Sequence, residues 1–251
     1  MIKSFKADQL HVEVFEDRYK AGAAAGKAVL DVINTILHSK NEVRMIFAAA
    51  PSQNEVLATL VAHGKGTDWQ RVIAFHMDEY IGLPRESEEL FSAYLNLHLF
   101  DHLPFKEVHL IDSQKPGEPE RYGQLVDEKE IDIVCLGIGE NGHLAFNDPP
   151  VADFNDPETA KVVVLDEACR KQQVNDGCFP SLQEVPRQAI TLTIPTLVRA
   201  DYLFCTVPGP TKRDAVRKTL YDPVSEKCPS TILRQHPHCT LYVDKEAYDQ
   251  S

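Results

Sequence analysis

The stretch Gly137-Ile-Gly-Glu-Asn-Gly-His-Leu-Ala-Phe-Asn-Asp-Pro-Pro150 decides how the rest of the chain is read. It follows Ile131-Asp-Ile-Val-Cys-Leu136, a short apolar run rich in branched residues that reads as a buried parallel strand. Gly137, Gly139 and Gly142 open backbone conformations closed to other residues and let a ligand come close, so Gly142 joins the candidate substrate contacts. Asn141, His143 and Asp148 stand in the same loop and can hydrogen-bond or titrate. In an open α/β sheet, ligands bind at the carboxyl ends of strands. A lone Gly-x-Gly-x-x-Gly is equally compatible with a plain turn around a structural histidine. A dinucleotide fingerprint fits poorly, because His143 directly follows the third glycine and Pro149-Pro150 blocks a long helix.

Strands and helices alternate on the N-terminal side of this loop. Strands are expected at 11–15, 43–50, 72–77 and 107–111, and helices at 18–38, 51–62, 88–102 and 120–129. Beyond the loop come strand-like runs at 161–165, 190–194, 202–207 and 239–243, with a helix at 211–220. The pattern predicts one α/β domain over 1–251: a doubly wound, mostly parallel, Rossmann-like sheet with helices on both faces. Residues 151–186 are largely polar and irregular, and are expected to form a lid.

Composition narrows the function classes. The chain has 251 residues, 43% hydrophobic and 25% charged, as globular domains do. Its formal charge of −12, with no basic cluster, argues against nucleic acid while leaving room for a small anion in a locally positive pocket. No apolar run reaches the roughly 20 residues that span a bilayer, and the N-terminus has no signal-peptide core. The six cysteines lack Cys-x-x-Cys spacing, so neither zinc nor a disulfide framework is signalled. A cytoplasmic protein is expected, and a homo-oligomer is left open.

Four strand ends carry chemistry. Ser52 and Gln53 stand at a helix N-terminus, where free amides favour an anion; Thr211 and Lys212 open another helix and add a cation. Taken singly, Ser52 is an ordinary cap and Lys212 a solvated lysine. Gathered on one sheet edge they suggest a phosphate site. Asp78 ends a buried strand, so desolvation would raise its affinity for a proton and suit it to act as a base; a helix cap is the alternative. His143 is the second proton carrier, with Asp148 and Asn141 to orient it. Glu79 and Glu140 read as solvated loop charges.

Met77-Asp-Glu-Tyr80, the 137–149 loop with its Phe146-Asn147 pair, and Gly209-Pro-Thr-Lys212 together resemble the glucosamine-6-phosphate deaminase (isomerase) family, in the superfamily shared with 6-phosphogluconolactonases. The resemblance runs along nearly the whole chain. It implies conversion of glucosamine 6-phosphate and water to fructose 6-phosphate and ammonia, without metal or organic cofactor. By the same resemblance Asp78 is the base that moves a proton from C2 to C1, and His143 assists opening of the pyranose ring. Arg170, in Asp166-Glu-Ala-Cys-Arg170, corresponds to the lid arginine that grips the phosphate beside Lys212; read alone, it is a charge in a polar segment. Many members carry Asp at the place of Asn141 and Glu at that of Asp148, and a Thr-Gly-Gly-Thr-Pro type of turn where this chain has Ala48-Ala-Ala-Pro-Ser-Gln53. The length leads to the expectation of no C-terminal allosteric extension. Two alternatives stand beside the deaminase. One is a lactonase in which His143 activates water; the other is a catalytically weak sugar-phosphate sensor.

Overall fold

The computed structural model describes residues 1–248. Eleven strands occur among them: β1 (Lys3–Ala7), β2 (Leu10–Phe15), β3 (Val43–Phe47), β4 (Val72–His76), β5 (Asp78–Ile81), β6 (Glu107–His109), β7 (Ile133–Leu136), β8 (Ala160–Val164), β9 (Gln188–Leu192), β10 (Tyr202–Val207) and β11 (Cys239–Asp244). The helices are α1 (Arg18–Leu37), α2 (Asn54–His63), α3 (Phe91–His98), α4 (Glu118–Asp127), α5 (Glu167–Asn175), α6 (Ile194–Val198), α7 (Arg213–Tyr221) and α8 (Lys245–Tyr248).

Eight strands form the main sheet in the order β1-β2-β11-β10-β7-β3-β4-β6. All neighbours pair in parallel except the β1–β2 hairpin, whose turn holds Asp8 in the left-handed region at φ 52°. β3, β4 and β7 are buried throughout, which is why they read as unbroken apolar runs. Their alternate side chains feed two cores. Ile46, Val134 and Leu136 pack with Tyr122, Leu197 and Val216 on one face; Met45, Phe47, Ile133 and Cys135 pack with Val29, Ile33 and Leu57 on the other. On that second face α1 lies hard against α2. A Cβ at Gly22 would stand 2.3 Å from Glu55 Cβ, and one at Gly26 would stand 2.6 Å from Thr59 Cβ. Only glycine permits that approach.

The chain winds outward from β3 to β6, returns to the middle at β7, and then proceeds through β10 and β11 in the other direction. The connections therefore diverge between β3 and β7 and leave a crevice beyond their carboxyl ends.

Three strands lie outside this mostly parallel sheet. β5, β9 and β8 make a separate antiparallel sheet. The run 72–81 crosses from one sheet to the other at Met77, whose amide donates to Phe47 O in the main sheet and whose carbonyl accepts from the Leu192 amide in the small one. The small sheet has its own core of Tyr80, Phe146, Val163, Leu165, Cys169, Phe179, Val185 and Ala189.

Candidate active site

A cavity of about 260 Å³ fills the crevice. Ala48–Ser52 follow β3, Met77 and Asp78 follow β4, Gly137–Gly139 and His143 follow β7, and Pro208–Lys212 follow β10; Gln172, Gln173 and Asp176 of the α5 segment roof it.

Asp78 sits at the crossing between the two sheets, only 6% exposed. No hydrogen bond from a described residue reaches its carboxylate, so burial, with a further push from the charge of Glu79, holds its pKa well above the usual carboxylate range. Glu79 is not the solvated charge expected. Strand alternation turns it away, and it accepts from the amides of Tyr80, Phe91 and Ser92 at 3.0, 3.0 and 2.9 Å, which caps α3.

Gly139 makes room for His143: a Cβ there would stand 2.1 Å from the ring. His143 Nδ1 lies 2.9 Å from Asp148 Oδ1. The oxygen is off the ring N–H direction, so the contact is more electrostatic than a straight hydrogen bond. Asn141 is a brace. Its Nδ2 donates to Asp148 Oδ1 and its Oδ1 accepts from the His143 amide, both at 3.0 Å. Burial alone would raise the Asp148 carboxyl. Its close contact with His143, the charge on that ring, Asn141 and the Asp166 amide together outweigh burial and hold it below the usual range.

Asn147 and Thr191 fix the loop onto the small sheet. Asn147 Nδ2 donates to Leu144 O and Leu192 O, and the Phe146 amide donates to Thr191 Oγ1. Between them Ala145 takes a left-handed φ of 51° and lines the cavity.

At the other end, Lys212 is 6% exposed and its ammonium makes no hydrogen bond or ion pair with a described residue. Burial lowers its pKa, while Asp176 and then Glu140 pull it up. Ser52 and Thr211 line the cavity beside it. So does Arg18 of α1, which sequence reasoning missed; Glu55 and Pro51 O hold its guanidinium at 2.7 Å.

A family described as glucosamine-6-phosphate isomerases/6-phosphogluconolactonase matches residues 16–242. A glucosamine-6-phosphate deaminase of Shouchella clausii (strain KSM-K16) is 31% identical over 246 residues, 95% of each chain. The chain belongs to this family. A solved member, described as a monomeric glucosamine-6-phosphate deaminase, superposes with a TM-score of 0.86 at 28% identity, over 96% of this chain and 99% of its own. The 6-phosphogluconolactonase of Thermotoga maritima shares the fold, with a TM-score of 0.75 at 20% identity over 94% of this chain and all of its own (100%).

Within this isomerase/lactonase fold, three expected contacts lie elsewhere. Arg170 does not line the cavity. Its guanidinium donates to the carbonyls of Leu182, Val185 and Pro186, so it ties α5 to the segment before β9. Gln53, 1% exposed, is a clamp whose amide reaches Ser52 Oγ, Leu136 O and Thr206 O at the ends of β7 and β10. Gly142, at φ +87°, faces away: a Cβ would stand 2.5 Å from Cys228 Sγ, and its carbonyl accepts from the Ser230 amide. Glu140, read as solvated, is half-buried, its amide held by Gln172.

His143, Asp148 and Cys169 bring potential metal-ligating atoms within 4.8 Å of one another. Burial, then the Asp148 and Asp78 charges, push the Cys169 thiol well above its ordinary pKa, which favours a protonated thiol over a thiolate ligand.

Proposed function

We propose that the protein is a glucosamine-6-phosphate deaminase, converting glucosamine 6-phosphate and water to fructose 6-phosphate and ammonia with its own side chains alone. The observation that carries this is Asp78: a desolvated, unpartnered carboxylate opening into the cavity that also holds the His143–Asp148 pair and Lys212. The phosphate binds at Lys212, Ser52 and Thr211, helped by Arg18. This leaves C1 and C2 against Asp78. His143 gives a proton to the ring oxygen as the C1 hydroxyl loses one and the pyranose opens, and Asp148 steadies the imidazole while it is positive. Asp78 then takes the C2 proton and returns it at C1, while the C1 oxygen gains a proton and the amino nitrogen loses one, turning the 2-amino aldehyde into a C2 imine. Water adds to the imine and ammonia leaves, giving the ketose.

A base of this kind is what a lactonase lacks a use for, since ester hydrolysis moves no carbon-bound proton. A pure sensor has no use for it either. α5 and its flanking segment act as a lid over one domain, in the proposed account, because Gln172, Gln173 and Asp176 reach the cavity from them. Every group in the proposed site comes from one chain, so a second copy is not needed to complete it. All six cysteines are free, in keeping with a cytoplasmic setting.

The test is incubation with glucosamine 6-phosphate. Stoichiometric ammonia and fructose 6-phosphate are expected. Hydrolysis of 6-phosphogluconolactone without ammonia would establish the lactonase, and binding without turnover the sensor.

A further inference from the structure

Two consecutive glutamines of α5 line the cavity, and they are used differently. Gln172 is held at both ends of its amide: its Oε1 accepts from the Glu140 amide at 2.7 Å and its Nε2 donates to Asp176 at 3.3 Å. Gln173 is 7% exposed, yet its carboxamide makes no hydrogen bond with any described residue. A primary amide offers two donors and an acceptor, and burying them without partners is costly. Gln173 lines the cavity, so the partners its amide lacks among the described residues are offered by whatever the cavity holds.

Helix geometry fixes where along a ligand Gln173 falls. Cys169 precedes it by four residues and Asp176 follows it by three, so all three share the inner face of the α5 segment. Cys169 stands over the reaction end, within 4.8 Å of the His143–Asp148 pair, and feels the Asp78 charge. Asp176 stands over the anion end, where its charge acts on Lys212. Gln173 lies between them, about 6 Å along the axis from Cys169. With Arg170 turned away, the roof offers this neutral amide and the Asp176 carboxylate, a pairing suited to hydroxyls rather than to a phosphate dianion.

We infer that Gln173 is a specificity-determining residue that hydrogen-bonds the hydroxyls in the middle of the sugar chain, at C3 and C4, and so distinguishes the gluco from the galacto configuration. The inference rests on the deaminase reading, because that reading puts C2 at Asp78 and C6 at Lys212. An amide fixed on a helix donates or accepts along set directions. Inverting C4 therefore removes the contact and leaves a buried polar group unpaired, which is how a polar site rejects an epimer.

The test reads binding, so it does not depend on turnover. Titration calorimetry compares 2-amino-2-deoxyglucitol 6-phosphate with its galactitol epimer, on wild type, Gln173→Met and Gln173→Ala. Methionine keeps length and helix preference without donors or acceptor; alanine serves if methionine disturbs the roof. Inorganic phosphate, titrated in parallel, reports whether the floor of the cavity is intact. Wild type is expected to prefer the glucitol by roughly 10-fold or more, and both variants to lose most of that preference through weaker glucitol binding, with phosphate affinity unchanged. An unchanged epimer ratio in the variants overturns the inference. Weaker inorganic phosphate binding with the ratio intact also overturns it, by putting Gln173 on the phosphate. Discrimination by Gln173 in a wild type that releases no ammonia refutes the reaction and keeps the residue's role; a wild type that binds neither epimer refutes both.

Discussion

The floor and the roof of the cavity are built by different means. The floor comes from strand ends: Asp78 between two sheets, His143 and Asp148 on a loop pinned by Asn147 and Thr191, and Lys212 after β10. The roof is the short helix α5, tied down by Arg170 through the carbonyls of Leu182, Val185 and Pro186. Sheet ends hold charged groups rigidly in desolvated positions, where shifted proton affinities follow. The α5 segment contributes the Gln172 and Gln173 amides and the Asp176 carboxylate. In the proposed account, chemistry belongs to the floor and selection to the roof.

Breaking the floor should cost most. Asp78→Asn is expected to lower kcat by at least about 10²-fold with little change in KM, read by ammonia release. It should also stabilise the protein as pH rises. Asp78 has a raised pKa in the folded state, so the unfolded chain ionises first, and stability is lost between the unfolded value, near 3.8, and the folded one. The amide removes that loss, and Tm at pH 8 should exceed wild type by roughly 2–4 °C per kcal/mol relieved, with the two converging at low pH. A lower Tm at pH 8 would mean that the carboxylate is not a desolvated cost.

Lys212→Ala comes next, raising KM by about 10- to 100-fold through loss of a charge-assisted contact to the phosphate, with the smaller effect on kcat. Asp148→Asn should reduce kcat/KM by about 10-fold. Its stability signature has the opposite sign to that of Asp78→Asn. The depressed pKa of Asp148 contributes stability that is present above its unfolded value and lost as pH falls through the folded one. The variant should therefore melt lower than wild type at pH 7 and approach it in acid. Arg170→Ala is the smallest in kinetics and the sharpest test of the comparison. KM should change by no more than about 3-fold, while stability falls by about 1–3 kcal/mol as three carbonyls lose their donor. A KM rise matching that of Lys212→Ala would return Arg170 to the phosphate.

Most of the floor was legible because parallel strands announce themselves as apolar runs and their ends collect polar residues: Ser52, Asp78, His143 and Lys212 all line the cavity. The exceptions have physical causes. Asp78 and Glu79 are adjacent acids, and only the strand's alternation, set by an antiparallel partner 111 residues further on in the register Glu79↔Ile190 that a local pattern does not carry, decides which faces the ligand. Gln53 and Gly142 sit in the right loops, but Gln53 is bound to backbone carbonyls and Gly142 faces Cys228, which spacing does not reveal. His76 shows the same limit: two residues before Asp78, it accepts from the Ile111 amide, and burial drives its pKa to about 3. Arg170 was placed by resemblance, and its carbonyl partners lie 12 to 16 residues away in an irregular segment. Gln172 and Gln173 gave no signal at all, since glutamines on a polar helix look solvated until the helix is laid over a cavity.

The central claim is that Asp78 carries the proton between C2 and C1, and label transfer tests it most directly. Wild type and Asp78→Asn would be incubated with glucosamine 6-phosphate deuterated at C2, and the label followed in sugar and water by NMR. The account predicts that wild type removes deuterium from C2, passing it to C1 or to solvent as ammonia appears, while a folded Asp78→Asn that still binds substrate leaves the C2 label in place. Loss of the label from Asp78→Asn at the wild-type rate would contradict it and assign the base to another group.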